Sequence, residues 1–256
     1  MKPSFSPLSL RAMLIERGFS AIQAETWAKF IGHVFQIYWD AASELLEPAN
    51  WNEFKAKAGV LGKERKLEKG VCGQVIIEDA ITSEIGHRAQ RLRQGLPSGH
   101  FLRFHETKFE IEALVESQER AGRHSKKVDF RALSQIPARN PPSIAIEAKP
   151  LLTENDIRSR YLADEGIGCF FASDSAYTTG PVGAMLAYSM TVDGRSMRDA
   201  ISAAVLEYQP APIGFHRVTV TGPGVVDCSQ HDRQQWSLQP VTILHVELQF
   251  PLELQS

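Results

Sequence analysis

Cysteine is scarce in this chain: Cys72, Cys169 and Cys228 stand far apart among 256 residues, with no paired spacing. That excludes a disulfide framework and a zinc site built on cysteine pairs, and it suits a reducing compartment. The histidines give no metal spacing either. His100, His105, His124 and His231 each lack a second ligand at an interval such as HxxxH. No apolar run approaches the roughly 18 residues that cross a bilayer. The opening MKPSFSPLSLRAML has neither the long apolar core nor the small-residue cleavage site of a signal peptide. A cytoplasmic location is the expectation. Repeats and low-complexity tracts are absent, and 43% hydrophobic with 23% charged residues is an ordinary globular composition. The length suits one large domain, or a core with an extension.

The formal net charge is only -2, but its distribution is uneven. Residues 54–149 hold 18 Lys and Arg against 12 Asp and Glu, and the remainder holds 10 against 18. The basic middle reads equally as a polyanion-facing surface or as a set of solvated helix faces.

Along the chain, residues 9–46 read as helical, with Trp27, Ile31, Phe35 and Tyr38 at helical spacing. Such an aromatic stripe reads as packing, or as a seam for a partner protein or a second copy. A break at Glu47–Asn50 precedes a Lys-rich segment, FKAKAGVLGKERKLEKG, which suits a solvated helix or a linker. Residues 1–70 are thus expected to form an N-terminal helical extension, and 71–256 a second unit. VCGQVIIEDAITSEIGHRAQRLRQGL reads as a helix stopped by Gly95 and Pro97. FLRFHETKFEIEALVESQ and KKVDFRALS read as a strand hairpin, and SIAIEAKPLL as a third strand. TENDIRSRYLADEG suits a helix capped by Thr153, and GCFFAS and VGAMLAYSM two more strands. A helix, SMRDAISAAVLEY, then precedes strands HRVTVTG and VTILHVELQFP, joined by a polar stretch, DCSQHDRQQ. The order implies an α/β (α+β) fold around one mixed central sheet.

The strand IAIEAK poses a chemical question. Residues i and i+2 of a strand share a face, so Ile144, Ile146 and Ala148 point one way and Glu147 and Lys149 the other. A half-buried strand does not keep such a pair without a partner or a task. Asp129, in the preceding strand, and Glu147 are oxygen donors of the kind that magnesium takes. A lysine on the same face suits the orienting of a water or the stabilising of developing charge. Glu78, beside the apolar stripe Ile77, Ile81 and Ile85, is a third carboxylate, with Glu84 its competitor. Glu110 and Glu112 share one face of the first hairpin strand, where they suit a metal or an exposed edge.

At these residues the sequence resembles the PD-(D/E)XK nuclease superfamily, the restriction-endonuclease-like fold. The matching pieces are IIEDAIT, KKVDF, SIAIEAKPLL and YLADEGIGCFFAS through VGAMLAYSM, roughly Val71 to Met190. Val128 stands where the superfamily name has proline. The resemblance implies an αβββαβ core, with the N-terminal helices and C-terminal strands as additions. It also implies a Mg2+ ion, for which Mn2+ substitutes, held by Asp129, Glu147 and Glu78. These residues and Lys149 would form the catalytic set, with DNA as the partner. Arg158 and Arg160, on the helix that lies beside the active site in the resembled fold, would contact the phosphate backbone, while Arg123, Lys126 and Lys127 in the basic turn suit either such a contact or a solvated turn. The alternative is a catalytically silent subunit of the same fold that binds nucleic acid or a protein partner.

Overall fold

The computed structural model describes residues 7–66, 72–115, 126–136, 140–171 and 176–254. A two-residue strand, β1 (Leu8–Ser9), leads into helix α1 (Leu10–Glu16), capped by Ser9 through the Ala12 N–H at 3.1 Å. Gly18, with φ of 87°, ends α1 in a left-handed conformation that only glycine adopts freely. Ser20 then opens α2 (Ala21–Leu46) through a capping box with Gln23. The helical stretch expected over 9–46 is therefore two helices, divided at that glycine. Pro48 occupies the first turn of α3 (Pro48–Ala56), where its missing N–H costs nothing.

Residues 61–66 form neither a helix nor a linker. They are strand β2 (Leu61–Lys66), paired antiparallel with β3 (Cys72–Ile76), which pairs in turn with β11 (Glu253–Leu254). The expected helix from Val71 thus begins as a strand, with Val75 and Ile76 buried, and helix α4 (Glu78–Gly95) starts only at Glu78. A short helix, α5 (Phe101–Phe104), then precedes β4 (Lys108–Leu114).

The main sheet adds β5 (Lys127–Leu133), β6 (Ser143–Leu151), β7 (Val182–Ser189), β8 (Gly214–Val220), β9 (Gly224–His231) and β10 (Val241–Gln249). Its order is β1-β8-β9-β10-β7-β6-β5-β4. It is mixed: β6, β7 and β10 run parallel, while β4–β5, β5–β6, β8–β9 and β9–β10 are antiparallel. Between β6 and β7 lie one turn of α-helix, α6 (Glu154–Asp156), a π-helical turn (Ile157–Tyr161) and a 3-10 turn (Ile167–Phe170). The segment GCFFAS therefore holds a 3-10 turn and no strand among its described residues. Gly166 fixes this geometry, because a Cβ there would lie 2.3 Å from the Tyr161 carbonyl oxygen and 2.4 Å from that of Arg160. Helix α7 (Arg198–Leu206) follows β7.

Helices cover both faces. Trp27, Phe30, Ile31, Phe35 and Tyr38 of α2, with Ile81 and Ile85 of α4, pack on Phe130, Ile144, Ile146 and Ala148. Burial of each such side chain stabilises the fold by about 1.5–3 kcal/mol. The aromatic stripe of α2 is thus consumed by the chain's own core, which runs across the expected boundary at residue 70. On the other face, Ile157, Tyr161, Phe170, Met197 and Ile201 pack on Ala145, Met185 and Ile243. Strand β9 was hidden in the sequence by its polar residues. Ser229 links His231 Nε2 and His245 at 2.8 Å each, and the buried Asp227 carboxylate takes Arg217 at 3.0 Å. Among the described residues no helix is long and apolar enough to cross a membrane.

Candidate active site

The β5–β6 ladder pairs Leu133 with Ser143 and continues to Phe130 opposite Ile146, where it ends. Asp129 and Glu147 are the next residues on each strand. Past the last rung the Ala148 N–H has no strand partner, and the Asp129 carboxylate takes it, Oδ2 to N, at 2.7 Å. Ile144, Ile146 and Ala148 enter the helix-side core as their alternation requires, and Ala145 and Leu151 enter the opposite one. Glu147 and Lys149 therefore share a face. The Lys149 ammonium donates to Glu147 Oε1 at 2.7 Å and to Glu78 Oε1 at 3.0 Å. Glu78 arrives from a third element, as the first residue of α4. The four side chains Glu78, Asp129, Glu147 and Lys149, separated by up to 71 positions in sequence, thus meet at one point.

Burial dominates the electrostatics. Glu147 is only 4% exposed, and desolvation followed by the charge of Asp129 pushes its carboxyl up to about 8. Desolvation likewise raises Asp129, to about 6, against the Ala148 N–H and Lys149, which favour its charged form. For Lys149, burial favours the neutral amine, but Glu147 and Glu78 outweigh it and hold the ammonium above its ordinary range. The two carboxyls are thus both desolvated and within electrostatic reach of one another, beside a fixed cation.

This donor set fits a hard divalent cation. Glu147 Oε2 is buried and has no hydrogen-bond partner, a costly state for a carboxylate oxygen unless a ligand completes it. Magnesium takes one or two carboxylates and fills its remaining positions with water and phosphate. Among the described residues no three His, Cys, Asp or Glu side chains gather as a closed cage would need. Asp129 and Glu147 are the pair available, while Glu78, read from the sequence as a third ligand, meets the site through Lys149.

The other sequence candidates divide. Glu84 engages Lys57 and Arg88, both at 2.9 Å, and so leaves the contact with Lys149 to Glu78. Glu110 pairs with Arg131 and Lys108, both at 2.5 Å, and Glu112 with Lys127 at 2.7 Å. The β4 carboxylates are therefore neutralised on their own hairpin, and Lys127 with them. Lys126 is half-buried and within electrostatic reach of Cys169, which itself feels Glu147. Arg158 and Arg160 are both exposed and paired, with Glu207 and with Asp156 respectively, but Arg160 also lines a cavity of about 210 Å3 together with Glu78. Arg123 lies outside the described residues.

Tyr177 was not legible as a site residue. Its backbone N–H reaches the Cys169 carbonyl at 3.0 Å, and its hydroxyl is hydrogen-bonded to the Cys169 thiol. Burial, then the charge of Glu147, keeps that hydroxyl protonated. No motif signals it, because only the tertiary structure brings it within electrostatic reach of Glu147 and Asp129. No protein-family model, curated protein or solved structure matches this chain.

Proposed function

We propose that this chain is a nuclease that hydrolyses phosphodiester bonds of DNA with a divalent cation, Mg2+ or in its place Mn2+, held by Asp129 and Glu147. The observation that carries the reading is the bridge from Lys149 to both Glu147 and Glu78, beside an unpartnered buried oxygen of Glu147. Structural ion pairs are normally satisfied at every buried atom; this one is not. The order α4, β4, β5, β6, helical turn, β7, with the short helix α5 between α4 and β4, supports the αβββαβ sequence implied by the resemblance.

Bound magnesium would polarise a phosphate oxygen and lower the pKa of an attacking water. The protein's own groups supply the rest. An ammonium has three N–H donors; two are used on Glu147 and Glu78, and the third is free for a water or a phosphate oxygen. Asp129 is held by the Ala148 N–H, so its second oxygen keeps a fixed direction. Arg160, beside Glu78, offers positive charge to a phosphate backbone. Cleavage of plasmid and single-stranded DNA, followed with and without magnesium, tests the reading. Metal-dependent cutting that Lys149→Ala abolishes supports it. If neither protein cuts and neither binds magnesium, the chain is a silent binding subunit instead.

A further inference from the structure

Arg233 is the largest side chain that the fold buries completely, and among the described residues no carboxylate pairs with it. Its acceptors are four backbone carbonyls. Nε donates to Gln239 at 2.8 Å, Nη1 to Thr178 at 2.6 Å and Phe170 at 3.2 Å, and Nη2 to Gly180 at 3.0 Å. Burying a cation among neutral partners costs stability. What the guanidinium offers in return is geometry: its donors form a rigid planar fork, which fixes the groups that accept from it relative to one another.

Those groups lie on both sides of Tyr177. Phe170 ends the 3-10 turn, while Thr178 and Gly180 lead into β7. The fork thus ties together the two flanks of the connection that ends at β7. A second contact seats the first flank on the sheet. The Phe170 ring rests on Gly183, where a Cβ would stand 2.5 Å from its Cε1. Gly183 pairs with Ala145, and two residues on Met185 pairs with Glu147.

The tied flanks carry Cys169 and Tyr177. The Tyr177 N–H donates to the Cys169 carbonyl at 3.0 Å, and the Tyr177 ring meets Phe170 edge-on at 5.8 Å. The Cys169 thiol donates to the Asp164 carbonyl at 3.2 Å and is bonded to the Tyr177 hydroxyl. Both side chains feel the charge of Glu147; Cys169 also feels Lys149, and Tyr177 feels Asp129.

We infer that Arg233 is a positioning residue: its fork holds the two flanks together and so keeps the Cys169–Tyr177 pair against the Glu147 side of the carboxylate site. The consequence for cutting rests on the nuclease reading. A wall displaced by a fraction of an ångström leaves reacting groups poorly aligned, which costs rate more than binding.

Alkylation of the native full chain with iodoacetamide, with the labelled cysteines located by peptide mass mapping, tests this beside DNA cleavage. Cys169 and Cys228 are both buried, so Cys228 reports general loosening and Cys169 the tied flanks. Arg233→Lys keeps the charge and loses the fork. It is expected to speed Cys169 labelling roughly tenfold or more with Cys228 unchanged. It should also lower kcat roughly 10- to 100-fold with KM nearly constant. Equal acceleration at both cysteines, or none at Cys169, overturns the inference, and so does selective acceleration with kcat at the wild-type value. Should that variant fail to fold, Tyr177→Phe carries the test, because it removes only the hydroxyl bonded to the thiol. Faster Cys169 labelling with a lower kcat then supports the inference, and no change in either overturns it. Failure of the nuclease reading is separable: a wild type that cuts nothing ends that reading, while Cys169-selective labelling in Arg233→Lys still establishes that Arg233 holds the pair.

Discussion

Asp129 and Ala148 meet across the gap where β5 and β6 part, the aspartate Oδ2 accepting the alanine N–H at 2.7 Å. The ladder has just ended at Phe130 and Ile146, so this side chain replaces the missing rung. Strand separation and carboxylate position are therefore one feature.

That contact separates two substitutions. Asp129→Asn keeps an acceptor for Ala148 and removes a desolvated charge, so the metal-free protein is expected to melt no lower than the wild type. Asp129→Ala leaves a buried N–H unpaired, at a cost of about 1–3 kcal/mol. Both are expected to lose manganese binding. Thermal melts and calorimetry with Mn2+ check the pattern; an asparagine variant that binds Mn2+ normally would remove Asp129 from the metal site.

Stability without metal is expected to fall as pH rises from about 4 to about 8. Asp129 and Glu147 have folded pKa values near 6 and 8, above their ordinary 3.8 and 4.5, so the folded state binds more protons than the unfolded one in that window. Below it both states are protonated and nothing is lost; above it the full penalty stands. The slope reaches about 1.4 kcal/mol per pH unit for each proton so retained. Lys149, also raised, adds stability that is full below its ordinary 10.5 and is lost as pH climbs from there through its elevated pKa, outside the window. Urea melts in a chelator should show the decline, and Glu147→Gln should remove its upper part. A wild type equally stable at pH 5 and pH 8 contradicts this.

Glu78 positions Lys149 without joining the carboxylate pair, so Glu78→Gln should lower kcat roughly 10- to 100-fold, the range for groups that orient others. Metal affinity should be unchanged. A parallel loss of manganese affinity would make Glu78 a ligand after all.

Arg160 and Arg158 lie two residues apart on one π-helical turn, but only Arg160 borders the cavity beside Glu78. Arg160→Ala should weaken DNA binding and flatten its salt dependence by about one counterion. Arg158→Ala, which removes an exposed pair with Glu207, should change little. Equal effects from both would place the backbone path elsewhere.

Gly166→Ala carries no charge change, yet its Cβ would collide with two backbone carbonyls of the π-helical turn. A loss of about 1–3 kcal/mol is expected, the range for overpacking, with a lower urea midpoint as the readout. Full stability would mean that the turn shifts freely.

The sequence displayed the site more clearly than the surrounding fold. Glu147 and Lys149 stood out because strand alternation is local, and their shared face needs no tertiary knowledge. Glu78 and Asp129 followed from their elements, but the choice of Glu78 over Glu84 needed the structure, since both lie on one helix and only contacts with Lys57, Arg88 and Lys149 separate them. Strand β9 escaped because Asp227, Ser229 and His231 are polar residues buried by tertiary contacts, Asp227 against Arg217 of β8 and Ser229 against His245 of β10. Strand β2 escaped because LGKERK is a charged run without strand alternation; its one partner, β3, is paired on its other side with β11. Tyr177 gave no local signal at all; it acquires its meaning from what the chain brings alongside.

The central claim is that Asp129 and Glu147 bind a divalent cation in a site activated by Lys149. Its most direct measurement is cleavage of plasmid and single-stranded DNA over a magnesium series, wild type beside Lys149→Ala, with the fold of both verified by circular dichroism. Cutting that rises with magnesium and vanishes in the folded variant is the expected result. Cutting by Lys149→Ala at the wild-type rate would contradict it.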